Sequence, residues 1–303
     1  MNHALLAGLR IGVFGKGGAG KSTVTVLLAR ALRDLGYPVA VIDADSTNFG
    51  LARAFGVERE PDTLLEHFGG MVFSGGLVTC PVDDPTPLPD AWVSLDALPP
   101  RFVAVSPEGI RVLVAGKIGH MGPGAGCDGP IAKIARDVRV TDAADSVVSL
   151  VDFKAGFEDS ARGVLTSLDW AIAVVDPTVA SVQLAIELDG IVRLMRQGVP
   201  PATRHLERDD LIELAIRQFR DAPVRGVVAI LNRVLDAGTE RFLRDALASE
   251  GPPVIGSLEE EPSIQSCWLR GQRVESARLQ SRAGGIVRGL EQAVRHSGVP
   301  VAG

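Results

Sequence analysis

Cysteine is scarce in this chain of 303 residues: Cys80, Cys127 and Cys267 are the three present, far apart and odd in number. They imply no disulfide framework, and reduced thiols fit a cytosolic setting. No stretch of about 18 uninterrupted apolar residues occurs, which excludes a membrane-spanning helix. Met1 to Arg10 lacks the basic start and long apolar run of a secretory leader, so a cytoplasmic location is the expectation. Positive charge does not dominate either. With 37 acidic against 31 basic residues the formal net charge is -6. That argues against a chain that coats nucleic acid with its whole surface, and no nucleic-acid partner is expected. Lysine itself is rare. Only Lys16, Lys21, Lys117, Lys133 and Lys154 stand among the basic residues, and none follows position 154.

What the chain does have is alternation. Short apolar runs at Arg10–Gly15, Pro38–Asp43, Ile110–Ala115, Ser146–Asp152, Trp170–Val175, Arg225–Leu231 and Val254–Ser257 are separated by helix-length segments. Near-continuous Val/Ile/Leu runs of this kind predict strands covered on both faces. The expectation is an α/β fold, a mostly parallel β-sheet with helices on both faces. A first helix is predicted over about Lys21–Leu35, and a last one over Ala277–His296 with Leu279, Ala283, Ile286, Val287, Leu290 and Val294 on one face. That last helix is expected to pack on the sheet, because Gly284-Gly285 would weaken it in isolation, with a membrane-surface helix as the alternative. Residues 1–303 read as one domain with insertions at about 58–109 and 198–223. The first is proline- and aspartate-rich, with a hairpin at Ser106-Pro107-Glu108-Gly109, and the second carries a short helix.

The strongest signal is the string Gly15-Lys16-Gly17-Gly18-Ala19-Gly20-Lys21-Ser22-Thr23, directly after a strand and opening a helix. It matches the phosphate-binding pattern G-x-x-x-x-G-K-[ST]. Glycines let backbone N–H groups turn toward phosphates, and the helix N-terminus favours anions. Lys21 would reach the β- and γ-phosphates of ATP, and Ser22 would ligate Mg2+. Two strands end in acids: Asp43 with Asp45 after one, and Asp152 after another.

The extra Lys16 makes the loop similar to the deviant Walker A motif of P-loop ATPases related to the nitrogenase iron protein, the cell-division positioning ATPases and the ParA-type partition ATPases, a SIMIBI-type P-loop NTPase fold. The resemblance implies an ATP-driven homodimer, with Lys16 reaching the partner's phosphates in trans. It implies that Asp45, in a switch I of the form D-x-D followed by Asn48, orients or deprotonates the attacking water. Asp43 and Asp152 would serve the Mg2+ hydration shell. The segment from Phe153 to Gly163 would act as switch II, and Asn232-Arg233 would lie at the adenine, with further base contacts near Leu258–Pro262.

Within that family the chain resembles the CooC-type ATPases that mature the nickel site of carbon monoxide dehydrogenase. Asp152-Phe153-Lys154-Ala155-Gly156-Phe157-Glu158-Asp159-Ser160-Ala161-Arg162-Gly163 is similar to their D-x-E-A-G-x-E-H-x-x-R-G, with Lys154 and Asp159 as departures. Where those relatives carry G-C-x-C-P, this chain has Gly126-Cys127-Asp128-Gly129-Pro130, so the second cysteine is Gly129. Two copies of a C-x-C would supply four thiolates for a soft metal such as Ni2+ or Zn2+ at a dimer interface. With one cysteine in the motif, Cys127 either binds metal with help from Asp128 or His120, or sits at the interface without it. Both readings stay open. A [4Fe–4S] cluster of the nitrogenase iron protein type is not expected, because switch II lacks the second cysteine.

The expected function is therefore a dimeric MgATP hydrolase that couples nucleotide state to maturing a client metalloenzyme. The alternatives are a positioning or partition ATPase, and an ATP-gated adaptor for a non-metal client.

Overall fold

Six of the seven Val/Ile/Leu runs, buried on both sides, become inner strands of a single large sheet, and the seventh, at Val254–Ser257, forms a half-buried edge strand. The computed structural model describes residues 5–118, 127–156 and 163–297. Ten strands follow in chain order: β1 (Arg10–Gly15), β2 (Val39–Ala44), β3 (Trp92–Ser94), β4 (Ala104–Val105), β5 (Arg111–Val114), β6 (Arg139–Thr141), β7 (Val148–Phe153), β8 (Trp170–Val175), β9 (Gly226–Val234) and β10 (Val254–Glu259). The helices are α1 (Lys21–Asp34), α2 (Leu51–Ala54), α3 (Leu64–His67), α4 (Gly129–Asp137), α5 (Val179–Arg196), α6 (Asp209–Arg220), α7 (Ala237–Ala248), α8 (Pro262–Leu269) and α9 (Ala277–His296).

Eight strands form the main sheet in the order β10-β9-β8-β1-β7-β2-β5-β4, and every pairing is parallel except β4 with β5. Each face carries its own core. On one side α4 and α5 pack Ile131, Ile134, Ala185, Leu188 and Val192 against the strands. On the other, α1 and α9 contribute Val24, Leu27, Leu28, Leu279, Ala283 and Ile286. Each fully buried Val, Leu or Ile among them favours the fold by about 1.5–3 kcal/mol. The apolar face of α9 is thus buried on α1 and β10, and Tyr37 Oη donates to Glu291 Oε1 (2.7 Å) across that contact.

The insertion over 58–109 is more ordered than its proline content suggests. Ala104 and Val105 pair back onto β5 through a turn closed by Ser106 and Ile110, so the hairpin caps the sheet edge. Trp92–Ser94 pairs in parallel with β6, forming a small second sheet. Strand β7 begins at Val148 rather than Ser146. The Asp142 carboxylate takes the Ser146 N–H (2.8 Å) and hydroxyl (3.0 Å), closing a turn before the strand can start. Strand β9 runs on past Leu231 to Val234, which carries Asn232 and Arg233 inside the strand.

Topology then places the chemistry. Strands β2 and β7 are neighbours in a register that sets Asp43 opposite Asp152, and β1 lies on the other side of β7 with Val13 opposite Asp152. The glycine-rich loop and both acidic strand ends therefore share the carboxyl edge of the sheet, where open α/β sheets bind ligands.

Candidate functional site

The loop after β1 wraps the first turn of α1. Gly18 and Gly20 adopt φ of +84° and +88°, which an L side chain resists, and a Cβ on Gly20 would collide with the Asn232 amide. Ala19 is fully buried, and its carbonyl accepts a hydrogen bond from Asn232 Nδ2 (2.7 Å). Lys21 is buried with Nζ 3.4 Å from the Lys16 carbonyl, while Lys16 points into solvent. Gly156 N–H donates to the Gly15 carbonyl (3.3 Å), joining the segment after β7 to the loop.

A cleft of about 290 Å3 is lined by Gly17, Gly18, Lys21, Ser22, Asp45 and Asn48, with Trp268 at its side. A second cleft of about 200 Å3 continues from Gly18, Gly20, Thr23 and Trp268 to Asn232, Arg233 and Glu259–Glu261. The pair has the layout of a phosphate site followed by a base site.

In the first cleft Asn48 Nδ2 donates to Ser22 Oγ (3.0 Å), so the segment after β2 closes onto the loop. Asp45 Oδ1 accepts from Thr47 N–H (2.9 Å), Thr47 Oγ1 (2.8 Å) and Asn48 N–H (3.1 Å), capping the turn it begins. Asp43 is fully buried, takes the Asp45 N–H (3.1 Å), and is paired with Lys117 Nζ at 2.7 Å. Burial pushes the Asp43 carboxyl up to about 7, outweighing the pull of Lys117 and reinforced by nearby Asp152. Burial likewise raises Asp152 to about 6, against the Ser22 hydroxyl and Lys21.

Whether these residues suit Mg2+ is decided by one atom. Asp152 Oδ2 is buried and accepts no hydrogen bond, although Oδ1 takes the Thr25 hydroxyl at 3.4 Å. A buried orphan carboxylate oxygen beside Ser22 fits a hydrated cation that arrives with phosphate. Among the described residues no three His, Cys, Asp or Glu side chains come together as a metal cage.

Two residues of the site had no role in the sequence reading. Lys117 donates to Asp43 Oδ2 and to the carbonyls of Asp45 (2.8 Å) and Asn48, tying down the whole segment after β2. Trp268 in α8 donates from Nε1 to Thr23 Oγ1 (2.9 Å) and walls both clefts. The only sequence signal for Lys117 was the scarcity of lysine, and for Trp268 there was none. Asn232 and Arg233 do line the second cleft. Asn232 is bonded to the loop, and Arg233 joins Glu260 (2.9 Å) to the Gly18 carbonyl.

At the far end of the sheet edge Cys127 is half-buried just before α4, and the Gly129 N–H donates to its Sγ (3.3 Å). Asp128 forms an ion pair with Lys154, two residues past Asp152, at 2.7 Å. His120, most of the glycine-rich stretch before Cys127, and residues 157–162 of the switch II segment lie outside the described residues.

Residues 13–274 match the CobQ/CobB/MinD/ParA nucleotide binding domain. The chain belongs to that family. Among its relatives, an ATP-binding protein of Methanocaldococcus jannaschii is 34% identical over 185 residues, 60% of this chain and 73% of the relative. The carbon monoxide dehydrogenase accessory protein CooC of Rhodospirillum rubrum is 33% identical over 190 residues, 61% of this chain and 69% of CooC. The septum site-determining protein MinD of Pyrococcus horikoshii, solved with Mg-ADP, superposes with a TM-score of 0.60 at 17% identity. It covers 96% of this chain and 99% of MinD. That likeness establishes the MinD/ParA-type P-loop fold. Membership in a family of ATP-binding P-loop domains accounts for the two-part cleft and the orphan acid beside Ser22. No described helix is long and apolar enough to cross a membrane.

Proposed function

We propose that this chain is a dimeric MgATP hydrolase that couples its nucleotide state to delivery of a thiophilic metal ion, nickel in the first instance, to a client metalloenzyme of the carbon monoxide dehydrogenase type. The observation that carries the reading is the Lys154–Asp128 ion pair at 2.7 Å. It ties the segment after Asp152, which answers to the γ-phosphate, to the residue beside Cys127. Nucleotide state thereby has a direct mechanical route to the thiol. The similarity to CooC supports the class of client.

Within the nucleotide site, backbone N–H groups of Gly17–Ser22 and the Lys21 ammonium cradle the phosphates. Asn232, Arg233, Glu259–Glu261 and Trp268 surround the base. Ser22 and Asp152 would hold Mg2+, which when bound neutralises charge developing on the β- and γ-oxygens. Asp45 orients the attacking water from the mouth of the cleft. Lys16, exposed beside the phosphate site, would complete the site of a partner copy as an arginine finger does. The reading as a membrane-positioning ATPase has less support, since the apolar face of α9 is buried.

The test is coupling between ligands. MgATP should change Ni2+ affinity by at least about tenfold, or 1.4 kcal/mol, and Lys154→Ala should erase that linkage while each ligand still binds alone. Independent binding of ATP and Ni2+ to the wild-type dimer would refute the proposal.

A further inference from the structure

The replacement of the second motif cysteine by Gly129 leaves a hole, and the structure fills it from elsewhere in the chain. A Cβ built on Gly129 would lie 2.5 Å from Cys80 Sγ and 3.2 Å from Cys127 Sγ. The two sulfurs are therefore separated by no more than the sum of those distances. They flank the position from which a cysteine at 129 would project. Cys80 lies 47 residues before Cys127 in sequence, in the proline-rich insertion, and is 9% exposed. We infer that Cys80 and Cys127 form a two-thiolate site for a soft metal ion, in which Cys80 supplies the sulfur that position 129 lacks.

The surroundings suit thiolates. The backbone N–H of Gly129 donates to Cys127 Sγ (3.3 Å). Such N–H donors stabilise an anionic sulfur. The Lys133 ammonium, 4% exposed, holds the flanking Thr79 hydroxyl (2.7 Å) and Asp84 (3.4 Å), fixing the loop that carries Cys80. Lys154 fixes Asp128 on the other side. Two of the lysines without a role in the sequence reading thus brace the two strands of chain that bring the sulfurs together. On binding, each S–H proton passes to solvent as its S–metal bond forms. Sulfur pairs select Zn2+, Ni2+ or Co2+ over Mg2+. Two copies meeting on this face would present four sulfurs, the set of a tetrahedral site.

This deepens the proposed function by naming the cargo ligands, and it rests on that reading only for the purpose of the metal. The test uses reduced, nucleotide-free full-length protein titrated with Co2+, followed by sulfur-to-cobalt charge-transfer absorbance and Zn2+ competition. Wild type is expected to show the band. Cys80→Ser should lose it and bind Zn2+ at least tenfold more weakly, with MgATP affinity unchanged. The combined variant Cys80→Gly/Gly129→Cys, which moves the sulfur back to the motif, should regain the band. A wild-type band in Cys80→Ser overturns the inference. So does reduced wild type that shows no band, its two thiols merely oxidising to a disulfide in air. Metal binding that behaves as expected but ignores nucleotide would refute the proposed function and leave this site standing.

Discussion

Lys117→Met removes one charge of a buried pair while keeping most of the side-chain volume. Lys117 Nζ sits 2.7 Å from Asp43 Oδ2, with the side chains 8% and 1% exposed. Deleting one partner of such a pair costs about 3–5 kcal/mol where the remaining group stays charged, and less where it can take up a proton. Set against a total stability of roughly 5–15 kcal/mol, the loss is large. It also depends on pH in a direction the structure fixes. The Asp43 carboxyl already stands at about 7 with its partner present, and Lys117 is the group pulling it down. Without Lys117 it rises further. A carboxyl raised on folding holds a proton that the unfolded chain releases, so its contribution to stability is greatest in acid and is lost as pH rises from about 4 through the folded value. Urea denaturation should therefore show a Lys117→Met defect larger at pH 8 than at pH 5.5 by about 1.4 kcal/mol, the one unit between the wild-type Asp43 value and pH 8. Adding Asp43→Asn, which removes the stranded charge, should return at least about 2 kcal/mol at pH 8. A defect below about 1 kcal/mol at pH 8, or one equal at both pH values, would refute the reasoning. The variant should hydrolyse ATP slowly as well, since the carbonyls of Asp45 and Asn48 lose their anchor.

If Lys16 acts on the partner's phosphates, then Lys16→Ala and Lys21→Ala chains should each be inactive alone. Mixed equally, they should recover about a quarter of wild-type ATPase activity, because half the dimers are mixed and each holds one intact site. No recovery on mixing would place Lys16 in its own site. Trp268→Ala should weaken ADP binding about tenfold, near 1.4 kcal/mol, and abolish most of the indole fluorescence change on titration. Unchanged affinity would remove Trp268 from the base site.

Local pattern and tertiary placement divided this protein unevenly. The nine-residue loop from Gly15 to Thr23 was legible because its function is contiguous: strand, turn glycines, lysine and helix start follow one another without a gap. Seven strands were legible from their apolar runs, while the short β3, β4 and β6 carry no such run. Asp43 and Asp152 could be named as strand-end acids, but their registration opposite one another came from the pairing of β2 with β7. For the last helix the sequence favoured packing on the sheet over a membrane surface, and its contacts with α1 and β10 agree.

What escaped the sequence was separated along the chain. Lys117 meets Asp43 across 74 residues, Trp268 meets Thr23 across 245, and Cys80 reaches the gap at Gly129 from within a segment whose prolines suggested only an irregular insertion. Ion pairs, indole hydrogen bonds and thiol pairs leave no periodicity behind, because each needs only one residue from each distant segment. The sequence by itself determined the sheet and the phosphate cradle, where repeated burial and backbone geometry constrain many adjacent residues at once. Only the tertiary structure decided which lone lysine and tryptophan came to stand beside that cradle, and which cysteine beside Gly129, since their meeting depends on how the layers close.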